Sequence, residues 1–136
     1  MPDGCRCERV LYTPTKSTYM SSPDVALGLG SVVYALAKLD GDFHRKEAQA
    51  IKSLLAGEPY SDLAICACFL RDNVGESVDE ARAFGLRRMT DKRVEINADT
   101  RKRFIAILLR VARVHEGISR EERAFIRQFW RELQQI

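Results

Sequence analysis

The sequence lacks the long apolar segment that a membrane-spanning helix needs. Its longest uninterrupted apolar run is eight residues, at positions 63–70, whereas a spanning helix takes about 20. The N-terminal segment has no continuous apolar core and no small-residue cleavage pattern, so it does not resemble a secretory signal. We therefore expect no membrane span and a cytoplasmic location.

An excess of charge of one sign is also lacking. The 22 Lys and Arg residues and 19 Asp and Glu residues give a formal net charge of only +3, which does not require nucleic acid or an acidic membrane as partner. Residues 99–113 are locally basic, but they contain no interleaved aromatic platform and no helix-turn-helix reading head. We expect a solvated face there, with a nucleic-acid-binding helical module as an alternative. The basic residues are Arg101, Lys102, Arg103, Arg110 and Arg113.

Cysteines are few, and their spacing is not that of a zinc or redox motif. Cys5 and Cys7 form one C-x-C pair, and Cys66 and Cys68 form another; neither has C-x-x-C spacing. Side chains two apart on a helix point about 200° apart, so Cys66 and Cys68 should not bind one ion together. We predict that both are small core residues and that Cys5 and Cys7 are unstructured.

Signatures of catalysis are absent as well. His44 and His115 each lie near an acidic residue, but no motif supplies a serine or cysteine nucleophile. Gly28-Leu29-Gly30 follows no predicted strand and lacks the third glycine of a dinucleotide-binding loop. These glycines indicate close helix packing, and we expect that the protein is not an enzyme.

The sequence does have helical periodicity almost throughout, and no stretch alternates convincingly with the period of a strand. It predicts a flexible tail over residues 1–22, followed by one all-helical domain of about six helices over 23–136. The third segment, 61–72, is apolar nearly all round and is predicted to be the buried central helix. Predicted helix-starting residues are Ser22, Ser61, Ser77 with Glu80, Asp99 or Thr100, and Ser119 with Glu122.

A gapless internal repeat organises these helices. Residues 32–55 align with residues 107–130 at an offset of 75 positions. The alignment matches Ala37 with Ala112 and Glu47 with Glu122. It predicts two pseudo-symmetric helix-turn-helix hairpins, first and last, that flank two middle helices and pair over the central helix to bury their apolar sides.

The turn of the first repeat carries candidate metal ligands. Asp40, Asp42 and Glu47 coincide with the second half of a calcium-binding EF-hand loop, although the positions of its first half are not acidic. In the second repeat only Glu116 and Glu122 remain as weaker candidates. Helix capping and the helix dipole also explain acidic residues at these places, so we expect at most a weak site for a divalent cation, concentrated in the first turn.

The repeated motif resembles that of TerB-like domains from bacterial tellurite-resistance proteins. The two matching segments are ALAKLDGDFHRKEAQAI at 35–51 and RVARVHEGISREERAFI at 110–126. The resemblance implies a helical bundle with pseudo-twofold halves, no enzymatic activity, and an acidic face that binds divalent metal or partners. The His-Pro-Asp tripeptide of a co-chaperone J-domain is absent from the sequence.

Together these features predict an interaction or scaffold domain in a tellurite, metal or oxidant stress response. A protein partner is expected and nucleic acid is not. The first alternative is a dedicated divalent-metal sensor, whose calcium or zinc binding would disappear when Asp40 and Glu47 are changed to alanine. The sequence leaves the oligomeric state open.

Overall fold

The computed structural model describes residues 22–39, 45–114 and 117–136. Six α-helices and one short 3₁₀ turn account for most of these residues, and no strand occurs among them, which confirms the all-α prediction. None of the helices in these ranges is long and apolar enough to cross a membrane. The helices are α1 (Pro23–Lys38), α2 (Arg45–Leu55), α3 (Ser61–Val74), α4 (Val78–Asp91), α5 (Ala98–Ala112) and α6 (Arg120–Gln134), and the 3₁₀ turn is Arg93–Glu95.

Several sequence predictions fall on residues outside these ranges. They are the flexible tail predicted over 1–22, of which only Ser22 is described, and the proposed roles of Cys5, Cys7, Asp40, Asp42 and Glu116.

Three of the predicted helix starts are confirmed. The Ser22 hydroxyl accepts a hydrogen bond from the Val25 N–H at 3.4 Å, and the Ser77 hydroxyl caps α4 in the same way. Ser119 and Glu122 form a complete capping box at the start of α6. In each case a short side chain supplies an acceptor to an N–H group that has no partner within the helix.

Two other predicted caps are wrong. The chain enters α3 through Tyr60 in the left-handed conformation, with φ of 57°, so Ser61 is already helical and caps nothing. At α5 the cap is Asn97, whose side-chain oxygen accepts from the Thr100 N–H at 2.8 Å. Asparagine caps as well as aspartate does, and starting at Asn97 leaves Thr100 inside the helix, where it is buried.

The central helix is α1 rather than α3. Nearly all its residues from Val25 to Ala37 are buried, and it packs against α3, α4 and α5. In α3 only Ala64, Ala67 and Cys68 are buried, and its outer side exposes other apolar residues. The prediction that α3 is central is wrong because apolar residues around a whole helix do not show which helices pack against it.

Small residues allow α1 to be enclosed in this way. A Cβ atom added to Gly30 would lie 2.9 Å from the carbonyl carbon of Ala64 in α3, and one added to Gly85 of α4 would lie 2.7 Å from the Gly28 oxygen. Between these contacts the Ser31 hydroxyl donates to the Ala81 carbonyl at 2.6 Å. Close helix packing, the predicted role of Gly28 and Gly30, is therefore confirmed.

The α5–α6 hairpin completes the bundle. α5 packs against α1, α2 and α6, and its inner side buries Phe104 and Leu108, while α6 contributes Phe129 and Leu133. An ion pair between Arg82 and Glu132 joins α4 to α6. The outer side of this hairpin has no described helix over it.

Candidate functional site

The two glutamates shared by the repeat lie inside the protein. Glu47 is 2% exposed and Glu122 is 3% exposed, each in the first turn of the second helix of its hairpin. The Glu122 carboxylate accepts a hydrogen bond from the Ser119 backbone N–H at 2.9 Å. Both positions therefore suit residues that stabilise a helix start.

The described residues alone do not supply a metal-ligand set. They include no group of three His, Cys, Asp or Glu side chains placed to hold an ion. Asp40, Asp42 and Glu116 lie outside the described ranges, so a weak divalent-metal site in the acidic turn stays a prediction.

The two cysteines of α3 lie in different environments. Cys68 is buried, but Cys66 is exposed, so the prediction that both belong to the core is wrong for Cys66. Their separation of about 200° around the helix puts them on opposite sides. Burial, together with the nearby carboxylates of Asp72 and Glu47, raises the pKa of Cys68 to about 12. Its thiol is therefore protonated at neutral pH and is a poor nucleophile.

The basic residues at the start of α5 do not act as one exposed patch. The Arg101 Nε donates to the Leu133 carbonyl at 3.1 Å. The Arg103 Nε lies 2.9 Å from both carboxylate oxygens of Glu58. Lys102 is exposed and points away from these contacts into a groove. Two of the three cations are thus engaged in bonds that hold the helices together.

A polar depression beside the α3–α4 turn has a volume of about 650 Å³. Its Arg71 donates to the Glu76 carboxylate at 2.6 Å and lies over the Phe84 ring at 4.0 Å from the ring centre. Because its buried charge is neutralised within the protein, the depression does not indicate the charge of a ligand.

An apolar groove lies between the outer sides of α5 and α6, and we call it the α5–α6 groove. Its volume is about 480 Å³, within the range of sites that bind small molecules or side-chain clusters. Its lining residues are Lys102, Ile105, Ala106 and Leu109 of α5 and Arg123, Ile126, Arg127 and Trp130 of α6.

The floor of the groove is built by helical spacing. Ile105 and Leu109 are four residues apart on α5, as are Ile126 and Trp130 on α6, so each pair lies on one side of its helix. Ala106 leaves space between these larger side chains. Trp130 is the single tryptophan of the chain and remains 37% exposed, although an indole of this size is usually more fully covered.

The rim of the groove is positively charged. Lys102, Arg123 and Arg127 are all exposed, and none of the described residues that line the groove is acidic. Among the described residues, no carboxylate forms an ion pair with any of the three. The groove therefore combines an apolar floor with a rim of exposed cations.

The sequence analysis did not identify this groove, because the apolar residues at the end of α6 do not by themselves show which of them face the core. Adjacent residues on a helix point about 100° apart, so Phe129 and Trp130 cannot both face inward. A signal was present in α5, where Lys102, Ile105, Ala106 and Leu109 form a second stripe beside the core stripe. Two apolar stripes on one helix indicate that a second surface covers it.

Comparisons of the chain with protein-family models, with curated proteins and with solved structures found no match. The candidate site therefore rests on the geometry of the α5–α6 groove, an apolar concavity of the described surface.

Proposed function

We propose that this protein is a non-enzymatic helical interaction domain of the TerB-like type and that it binds a protein partner in the α5–α6 groove. The observation that carries the proposal is the open apolar floor of Ile105, Ala106 and Leu109 beside the exposed Trp130. Tryptophan side chains set in such patches commonly contribute most of the binding free energy at protein interfaces. The proposed setting, a tellurite, metal or oxidant stress response, rests on the resemblance of the repeat.

The proposal includes a pseudo-twofold relation between the α1–α2 and α5–α6 hairpins. Two pairs of residues matched by the repeat have similar environments: Ala37 and Ala112 are both buried, and so are Glu47 and Glu122. Equal burial at matched positions is expected if the two hairpins share one packing plan, which supports the relation.

A protein partner is better supported than nucleic acid. Phosphate binding would draw on the cations at the start of α5, but Arg101 and Arg103 already donate to Leu133 and Glu58. An indole in an apolar groove also suits a protein side chain better than a hydrated phosphate backbone.

Site-specific photo-crosslinking in cells tests the proposal. A benzophenone amino acid in place of Ala106 lies within the groove, and the same amino acid in place of Ala124 lies on the exposed side of α6 outside it. We expect one defined protein to crosslink at position 106 and not at 124. No crosslink at 106, or the same products at both positions, would contradict the proposal.

The purified partner provides a second measurement. Trp130→Ala should weaken its binding by about 30-fold, because truncating a central aromatic residue costs about 2 kcal/mol. Val94→Ala is the matched control, since Val94 is an exposed apolar residue that does not line the groove. Equal affinities of the two variants in calorimetry would show that the partner binds elsewhere.

The alternative of a dedicated divalent-metal sensor is tested by calorimetry with calcium and with zinc. Asp40→Ala combined with Glu47→Ala should abolish any heat of binding. Because Glu47 is buried, circular dichroism must first establish that this variant is folded. Absence of heat with the parent protein would eliminate the alternative.

A further inference from the structure

The repeat identifies what covers the equivalent groove in the first hairpin. At the offset of 75 positions, Leu109 corresponds to Tyr34, and the same offset continued two residues before the repeat matches Ile105 with Gly30. Gly30 lies against the backbone of Ala64 in α3. The Tyr34 hydroxyl donates to the Glu76 carbonyl at 2.7 Å, just beyond the end of α3. Both positions that match the floor of the α5–α6 groove are therefore covered by α3 or the turn that follows it.

A residue on the second helix of the hairpin agrees with this correspondence. Arg127, on the groove rim, corresponds to Lys52 of α2. The Lys52 ammonium lies 5.3 Å from the centre of the Phe69 ring in α3. The matched side of the first hairpin thus contacts α3 from both of its helices, whereas the α5–α6 groove is open in the described structure.

The groove has room for a helix, seated less deeply than α3. Gly30 lets α1 and α3 approach to backbone contact, whereas the matched position in α5 is occupied by the larger Ile105. A helix docked in the groove would therefore pack at an ordinary interaxial distance of about 8–10 Å. The lining residues extend over eight positions of each helix, a rise of about 10 Å. That length accommodates two helical turns, with apolar anchors at positions i, i+3, i+4 and i+7.

The positive charge of the groove rim favours a docked helix with acidic residues beside its apolar stripe. Lys102 is the rim cation of α5, and Arg123 and Arg127 are the rim cations of α6. We propose that the α5–α6 groove binds an acidic amphipathic helix of a partner protein, with an apolar stripe on Ala106 and Trp130 and with Asp or Glu beside the rim cations. This assignment rests on the proposed interaction function and specifies its partner.

Two other occupants fit the charge less well. The segment 1–21, outside the described residues, carries three cationic and two acidic side chains, so its net charge has the same sign as the rim. A second copy docked by a twofold axis would place the rim cations of one protomer against those of the other. An acidic helix avoids both repulsions.

Intrinsic fluorescence provides a direct assay, because Trp130 is the only tryptophan and lies in the groove. One probe is a helix-stapled 15-residue peptide with leucines at i, i+3, i+4 and i+7 and glutamates at the flanking positions; the other has lysines in place of the glutamates. We expect the acidic probe to shift the Trp130 emission to shorter wavelength and to bind at least about 10-fold more tightly than the basic probe.

Charge reversal tests the rim against a matched control. Arg123→Glu with Arg127→Glu should invert the preference, so that the basic probe binds more tightly by about 10-fold. Arg110→Glu with Arg131→Glu makes the same change of net charge at exposed sites on the same two helices outside the groove, and it should leave the acidic probe preferred. Circular dichroism would establish that both variants are folded.

Several outcomes would overturn the assignment. They are equal affinity of the parent protein for the two probes, no binding of the acidic probe up to about 1 mM, and equal effects of the two charge reversals. A shift of the Trp130 emission wavelength when residues 2–21 are removed would identify that segment as the occupant of the groove. A shift of the same emission when the protein is diluted would identify a second copy of the chain as the occupant. If the benzophenone amino acid at position 106 crosslinks to a partner segment that is not an acidic helix, the proposed interaction function stands and the assignment of an acidic helix fails.

Discussion

Replacing Gly30 by alanine should destabilise the domain, because α1 and α3 approach each other too closely there for a side chain. The added Cβ would lie 2.9 Å from the carbonyl carbon of Ala64 and 3.1 Å from its Cα. These are backbone atoms, which cannot move aside by rotating a side chain. Either α1 or α3 must shift, and α1 is held on its other side by the equally close contact with α4 at Gly28 and Gly85.

The expected loss follows from two opposing terms. Overpacking of a core costs about 1–3 kcal/mol, and a clash with backbone belongs at the upper end, about 3 kcal/mol. Alanine is favoured over glycine within a helix by about 1 kcal/mol. The net decrease in the free energy of unfolding is then about 2 kcal/mol, which for a domain of this size lowers Tm by about 8 °C.

Urea unfolding followed by circular dichroism measures this decrease. The midpoint for Gly30→Ala should fall by about 1 M, with the slope unchanged. Gly57→Ala is the matched control: nothing lies within 4 Å of its added Cβ, and its unfolding free energy should change by less than about 0.5 kcal/mol. Equal midpoints for the two variants would refute the argument that α1 and α3 are in backbone contact at Gly30.

Three further predictions concern a helix cap, a buried thiol and an ion pair. Ser119→Ala should lower the free energy of unfolding by about 1 kcal/mol and Ser61→Ala by almost nothing; equal losses in urea titrations would contradict the observed start of α3. Burial raises the pKa of Cys68 from 9.0 to about 12. The contribution of the protonated thiol to the free energy of unfolding should therefore be fully present below about pH 9 and decline as the pH rises towards 12, because the unfolded chain releases this proton at lower pH than the folded chain does. Denaturation measured at each pH should show a smaller decline for Cys68→Ala. Arg103→Ala should cost about 1–2 kcal/mol because it leaves a partly buried carboxylate unpaired, whereas Lys102→Ala, at an exposed site, should be neutral in thermal unfolding.

The features that could be predicted from the sequence are those decided within a few residues. The cap at Ser119 and its partner Glu122 follow from one turn of helix, and so does the periodicity that makes the chain all-α. The place of α1 at the centre could not be predicted in this way. It depends on Gly30 of α1 meeting Ala64 of α3, residues that are distant in the chain and come together only in the folded bundle.

The candidate site shows the same division. Each stripe that lines the α5–α6 groove can be read from its own helix, but the openness of the groove depends on what packs beside it. Trp130 is aligned with Leu55 of the first repeat, yet Leu55 is fully buried and Trp130 is not. The repeat therefore predicts that the two hairpins fold alike. The difference in burial between Leu55 and Trp130 is what indicates a function for the second hairpin.

During synthesis on a ribosome, α1 emerges before any of the helices that enclose it. α4 ends about 50 residues after α1, which at about 5–20 residues per second is a delay of about 3–10 s. During that interval the side of α1 that packs against α4 lacks its neighbour and faces water or a chaperone. A nascent chain that stops before Val78 should therefore be degraded or aggregate rather than persist as a partly folded domain, because it lacks α4 and α5, which pack against α1.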